Sequence, residues 1–317
     1  MRLRSKLFCT LATAGLFVSA SAQDDQAVFR ADTRLVVLHA TVVDKSGKLV
    51  TNLPRDAFKV YEDGVEQQMK IFKREDVPVS MGMVIDNSGS MRDKRRKVED
   101  AALALVKASN PHDEVFIVNF NDEAYLDVDF TSDIKKLEEG CSRIDSRGGT
   151  AMRDAIDLSM EHLKTKGKRD KKVIVVVTDG NDNASEITLE KLVQKAQQRE
   201  VLIYTIGLLN EEERREAKRA KRALDSLASA TGGIAYYPKA VDDVGEFTLK
   251  VAHDIRNQYI LAYSPQKQAL DGTYRQIKVT VNAGNRPIVR TRTGYYATAE
   301  LAKQTALAKP AAAPSGQ

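Results

Sequence analysis

The chain has 317 residues, 42% hydrophobic and 29% charged, with a formal net charge of +5. That length suits about two globular domains, and the hydrophobic share is too high for an intrinsically disordered chain. No interior apolar run is long enough to cross a bilayer as a helix.

The first residues differ from the rest. Arg2, Arg4 and Lys6 precede a mostly apolar stretch from Leu7 to Val18, and Ala20-Ser21-Ala22 follows as an A-x-A cleavage site. These are the three regions of a secretory signal peptide, so cleavage after Ala22 and export from a bacterium-like cell are expected. The apolar stretch is too short for a membrane anchor, and Cys9 lies inside it, not at its end where a lipid-bearing Cys would be. Losing Arg2, Arg4 and Lys6 lowers the charge from +5 to about +2. Cleavage also leaves Cys141 without a partner for an intramolecular disulfide. Cys141 lies between Leu137 and Ile144 on a short helical pattern and is expected to be a small buried residue.

Residues 23–32 are polar and are expected to be flexible. From Thr33 a β-rich run reaches Val43, Asp44-Lys45-Ser46-Gly47 turns, and Lys48 to Thr51 is expected to start a return strand. Phe58 to Tyr61 and Gln67 to Phe72 alternate around the Glu62-Asp63-Gly64 turn. Segment 33–76 is thus a meander of short strands, too small to bury a core alone.

Pro78 opens a different pattern, expected to run over residues 77–257. Met81 to Ile85 reads as a buried strand ending in Asp86, and Val98, Ala101, Ala102 and Leu105 mark one face of a helix. Further strands are expected at Glu114–Phe120, Val173–Val177, Val201–Gly207 and Ile234–Tyr237, with Ala124–Phe130 as an antiparallel edge strand. Helices are expected at Asp133–Ile144, Ala151–Leu163, Thr188–Arg199, Glu211–Ala230 and Val241–Arg256. Alternating strands and helices predict an α/β fold with a doubly wound, mostly parallel sheet. From Gln258 the period returns to two, with strands at Tyr259–Tyr263, Tyr274–Val281 and Ile288–Tyr296. Segment 258–298 and segment 33–76 are expected to form one small antiparallel β-sandwich with the α/β body inserted between them; the alternative is two separate β layers flanking that body. Residues 299–317, rich in Ala, Lys, Gln and Pro, read as a disordered tail.

Three pieces of the α/β region carry candidate chemistry. Asp86, Ser88 and Ser90 place oxygens at alternate positions after a buried strand. Arg147-Gly148-Gly149-Thr150 precedes a helix, and the glycine pair lets the backbone come close. Lys172 to Asp179-Gly180 is a second buried strand ending in an acid. Ligand sites in open α/β sheets lie at this carboxyl edge. Two carboxylates and three hydroxyls, with neither Cys nor His, suit a hard cation such as Mg²⁺ or Mn²⁺. Helix caps and turns use the same residue types, but capping does not explain why three pieces coincide.

Asp86-x-Ser88-x-Ser90, then Gly149-Thr150, then Thr178-Asp179-Gly180 resembles the metal-ion-dependent adhesion site of von Willebrand factor type A domains. The resemblance covers residues 77–257, and the flanks resemble bacterial secreted proteins that carry such a domain between short β segments. It implies Mg²⁺ or Mn²⁺ on Ser88, Ser90 and Thr150, with Asp86 and Asp179 binding directly or through water. It also implies that an Asp or Glu of a protein partner completes the shell. The loops around Asn87, Met91, Asn121, Asp122, Arg147 and Asn181 would then select the partner. In relatives, exchange at the Thr150 position is tied to movement of the closing helix, here Val241 to Arg256.

The remaining features read as structural. Lys94-Arg95-Arg96-Lys97 and Lys164 to Lys172 are expected to be solvated faces, and Glu211 to Arg222 a surface helix with ion pairs. His39, His112, His162 and His253 lack metal-ligand spacing. There is no P-loop, G-x-G-x-x-G or G-x-S-x-G. The reading is a secreted adhesion or binding module, not an enzyme, with no nucleic-acid partner and no stable membrane span; its oligomeric state is open. A metal-dependent hydrolase is the alternative from another class, although no second metal site or placed general base is visible. A scaffold using the ion only for stability is the third.

Overall fold

The structure is a computed structural model that describes residues 34–141, 146–180, 182–210, 213–284 and 286–299. The expected signal peptide, the stretch after it, the tail from residue 300 and Asn181 lie outside the described residues.

The central sheet has six strands: β5 (Val79–Asp86), β6 (Glu114–Phe120), β7 (Ala124–Thr131), β8 (Lys171–Thr178), β9 (Leu202–Gly207) and β10 (Ala235–Tyr236). Their spatial order is β10-β9-β8-β5-β6-β7. All pairs are parallel except β6 with the edge strand β7. Every residue of β5 is buried, as a strand covered on both faces requires.

Among the described residues, six helices cover the two faces. On one face α1 (Arg95–Ala108), α2 (Ile134–Cys141) and α6 (Val244–Arg256) pack on Met81, Met83 and Ile85 of β5. On the other, α3 (Met152–Lys166), α4 (Leu189–Gln198) and α5 (Arg214–Thr231) pack on Val84, Ile174 and Val176. Val84 sits between two residues of the opposite set, which is the period-two alternation of a strand. Gly82 has no side chain because the Phe116 ring fills the place a Cβ would take. Cys141 is 2% exposed, and burial pushes its thiol up to about 12.

Two antiparallel sheets come from the flanks. One has the order β13-β1-β11-β4, the other β14-β12-β2-β3. The strands are β1 (Val36–Val43), β2 (Phe58–Glu62), β3 (Val65–Gln67), β4 (Met69–Lys73), β11 (Tyr259–Tyr263), β12 (Tyr274–Val281), β13 (Ile288–Arg290) and β14 (Gly294–Tyr296). Their inner faces share one core, with Leu38, Tyr259 and Tyr263 from one sheet and Val60, Ile277 and Tyr295 from the other. Of the two arrangements expected, the chain forms the single sandwich with the α/β body between its halves.

Two local expectations are corrected, in the return strand and in two split runs. The return strand at Lys48–Thr51 reduces to one bridge, Val43 with Leu49. The runs Gln67–Phe72 and Ile288–Tyr296 are each split between the two sheets, Gln67 ending β3 and Met69–Phe72 lying in β4, and Ile288–Arg290 forming β13 and Gly294–Tyr296 β14. Sandwich corners are made where a strand changes sheet, and alternation alone does not show the change. On α5, among the described residues, the ion pair is Lys221 with Asp225 at 2.7 Å. Arg214, Arg215, Lys218, Arg219 and Arg222 are exposed, opposite the buried face of Ala220, Leu224, Leu227 and Thr231.

The sandwich and the central sheet meet through buried polar contacts. Gln258 Nε2 donates to Thr41 Oγ1 at 3.0 Å and to the Tyr204 hydroxyl at 3.2 Å. Arg292 pairs with Glu200 and donates to the Val37 carbonyl at 2.9 Å. Lys171, expected on a solvated loop, is 5% exposed and donates from Nζ to the Ile255 carbonyl at 2.5 Å.

Candidate metal centre

β5 lies between β6, which follows it in sequence, and β8, which arrives later from the other side. Successive connections therefore leave β5 in opposite directions, and a crevice opens at the carboxyl ends of β5 and β8. Asp86 is the last residue of β5, and Asp179 follows β8 directly.

Asp86 is 1% exposed, with both oxygens engaged. Oδ1 accepts the Ser88 N–H at 2.8 Å, and Oδ2 accepts the Thr178 hydroxyl at 2.6 Å. Burial pushes its pKa up to about 6; the bonds from Ser88 and Thr178 oppose that, and the charge of Asp179 adds to it. The hydroxyls form a chain: Ser88 Oγ and Ser90 Oγ are 3.2 Å apart, and Ser90 Oγ donates to Asp179 Oδ1 at 2.8 Å. The other Asp179 oxygen is paired with the Lys94 ammonium. The Asp179 side chain is 2% exposed and that of Lys94 25%.

Thr150 is held close by its backbone. Its N–H donates to Asn183 Oδ1 at 2.8 Å, and its carbonyl accepts from Asn183 and Ala184 at 3.1 and 3.2 Å. A Cβ on Gly180 would stand 3.6 Å from the Thr150 hydroxyl, which sets that hydroxyl beside the residue after Asp179. The loop before it is fastened to the loop after β5, with Gly89 N–H donating to the Gly148 carbonyl at 3.2 Å and Arg147 N–H to that of Asn87 at 3.0 Å. Asp122 clasps it from a third side, accepting the Gly149 N–H at 2.6 Å. Gly148 has φ +74°, and a Cβ there would overlap the Asp122 carboxylate, so glycine is required twice over.

The residues fit a hard divalent cation. Two carboxylates withdrawn from water share one crevice, where their charges oppose each other, and hydroxyl oxygens lie between them. Among the described residues no group of three or more His, Cys, Asp or Glu could hold a metal, so a site here needs hydroxyl donors.

The outer residues expected to touch a partner separate into two sets. Asp122 and Arg147 are exposed at the rim. Asn87, Met91 and Asn121 are 1%, 0% and 4% exposed and do not face outward. Asn87 Nδ2 donates to Asn119 Oδ1 at 2.8 Å, Met91 lies in the core under α1, and the Asn121 carbonyl accepts the Ala151 N–H at 2.7 Å. These three build the loops from within. Thr178 and Lys94 are the site residues that pattern alone missed. Thr178 stands in the motif beside Asp179, whereas Lys94 is hidden in a basic run, of which Arg95 turns to Glu99 and Lys97 to Asp242.

Residues 81–181 match the family model of the von Willebrand factor type A domain. Calcium-activated chloride channel regulator 1 of Mus musculus is 28% identical over 166 residues, 49% of this chain and 16% of that protein. Inter-alpha-trypsin inhibitor heavy chain H4 of Bos taurus is 23% identical over 146 residues, 41% of this chain and 16% of that protein. The chain thus spans a small part of the length of these relatives. Among solved structures, proximal thread matrix protein 1 from the mussel byssus, with a zinc-occupied MIDAS motif, aligns with a TM-score of 0.50 at 15% identity, covering 62% of this chain and 50% of that one. A likeness at that identity concerns the fold alone. The central body of this chain, a six-stranded sheet with helices on both faces, has the von Willebrand factor type A-like fold.

Proposed function

We propose that the chain is an exported, non-catalytic binding module whose partner is held through a divalent cation, Mg²⁺ or Mn²⁺. The observation that carries this reading is the hydrogen-bonded joining of buried Asp86, Ser88 and Asp179 through the exposed Ser90 hydroxyl, which opens the set to solvent. Those residues and Thr150 would hold the ion. When bound, it supplies a coordination position that an Asp or Glu carboxylate of a protein partner fills. Thr178 and the Ser88 N–H fix the Asp86 carboxylate in one orientation, so its oxygens need no reordering on binding. Asp122 and Arg147, exposed beside the crevice, are placed to discriminate among partners.

The test is calorimetric titration of Mg²⁺ and Mn²⁺ into metal-free protein, with and without glutarate as a small carboxylate. Wild type is expected to bind, and Asp86→Ala to lose binding while its circular dichroism is unchanged. Equal binding by both proteins, or none by wild type even with glutarate, overturns the proposal. Export is checked separately by mass spectrometry, which should find Gln23 as the amino terminus of the secreted protein.

A further inference from the structure

Lys94 sits directly before α1, and its backbone is fixed at both ends. Its N–H donates to the Met91 carbonyl at 2.9 Å, and its own carbonyl accepts the Val98 N–H at 3.2 Å. Met91 is fully buried, so the root of the side chain is anchored to the core. Its ammonium lies on Asp179, the carboxylate that also accepts the Ser90 hydroxyl. The neighbours in the basic run point elsewhere, to Glu99 and Asp242. A quarter of the Lys94 side chain remains exposed, against 2% of Asp179. The cation can therefore fold out into water, while the carboxylate stays where it is.

We propose that Lys94 is a tethered counter-cation of the candidate metal centre, which competes with the divalent ion for Asp179 and makes its retention depend on an arriving carboxylate. This rests on the metal-site reading above. Asp179 is withdrawn from water and needs a positive partner, because a buried unpaired charge is strongly unfavourable. An ion entering the crevice must take over a carboxylate already neutralised and must either expel the ammonium or tolerate its repulsion. Affinity for the ion alone is thereby lowered. Once expelled, the ammonium stands at the rim on a short tether, where a partner carboxylate gives it a new counter-charge. Ion and carboxylate then favour each other's binding, which is positive coupling between two ligands. A neutral partner gains no such contribution, so Lys94 selects for acidic ones.

The experiment is titration of Mn²⁺ into wild type, Lys94→Met, Lys94→Arg and the double variant Asp86→Ala with Lys94→Met, each with and without glutarate. Lys94→Met is expected to bind Mn²⁺ at least tenfold more tightly than wild type and to lose most of the enhancement by glutarate. Lys94→Arg, which keeps the charge, should stay near wild type, and the double variant should not bind. Thermal melts give a second readout: metal-free Lys94→Met should melt below wild type and recover more on Mn²⁺ addition. If Lys94→Met does not fold, Lys94→Gln carries the same expectation. Mn²⁺ affinity in the neutral variant within twofold of wild type, or weaker, overturns the inference while leaving the site reading intact if Asp86→Ala still abolishes binding. No binding by wild type or neutral variant, even with glutarate, overturns both.

Discussion

Thr178 is fully buried, donates its hydroxyl to Asp86 Oδ2 and accepts the Gly180 N–H at 3.3 Å. Replacing it with Val keeps the shape and removes the donor. Thr178→Val should lose about 1–3 kcal/mol in urea unfolding, the usual consequence of leaving a buried acceptor unpaired. It should also weaken Mn²⁺ binding, although no proposed ligand is removed. Lys171 gives a pH dependence. Burial pulls its pKa from the ordinary 10.5 down to about 7. Between those values the unfolded chain binds a proton there that the folded chain does not, so stability rises with pH across that window and its full penalty is present below it. Lys171→Met should flatten the rise between pH 7 and 9, by at most about 1.4 kcal/mol per pH unit. Cys141, whose pKa rises from 9.0 to about 12, brings the opposite slope above that range. Melts of both proteins at stepped pH would show whether the difference follows Lys171. The ligand candidates were legible in the sequence because their spacing after buried strands is distinctive. The directions of Lys94 and Met91 were not: a run of four basic residues does not say which one turns inward, and a Met beside a motif does not say that it belongs to the core.

The loops at the carboxyl edge behave as one element because each is fastened to the next by backbone bonds. Asp122 is the outermost fastening, joining the end of β6 to the loop that carries Thr150. Asp122→Ala should therefore reduce Mn²⁺ affinity severalfold and speed amide exchange at Gly149 and Thr150, with global stability changing by about 1 kcal/mol or less. Gly148→Ala, placing a side chain at positive φ against Asp122, should cost more, about 1–3 kcal/mol by chemical denaturation. Element types followed from periodicity almost throughout, since β5 and β8 are continuous apolar runs and α1, α3 and α4 carry apolar stripes. The misplaced elements all lie in the sandwich. There the alternation continues through Gln68 and through residues 291–293 although the chain passes from one sheet to the other. Sequence period reports which face a residue takes within a sheet and carries no information about which sheet receives the strand.

At the scale of the whole molecule, the two flanks depend on each other. β1 pairs with β11 and β13, and β2 with β12, so the first segment has strand partners in the last. A chain ending at Arg256 should lose protection from hydrogen exchange over Val36–Val43 and Phe58–Glu62, while the central sheet retains more of it. Equal protection in the truncated and full chains would show that the first segment holds its fold alone. The same interleaving sets a schedule for synthesis. Nearly 190 residues separate the end of β4 from the start of β11. At roughly 5–20 residues per second, the first half of the sandwich waits about 10–40 s for its other half. Through that interval Leu38, Val60 and their neighbours are without the strands that finally cover them, and the edges of β1 and β2 lie open to pairing with another nascent chain. A holding chaperone that recognises extended apolar segments is therefore expected to engage this protein early and to release it only when the last strands arrive.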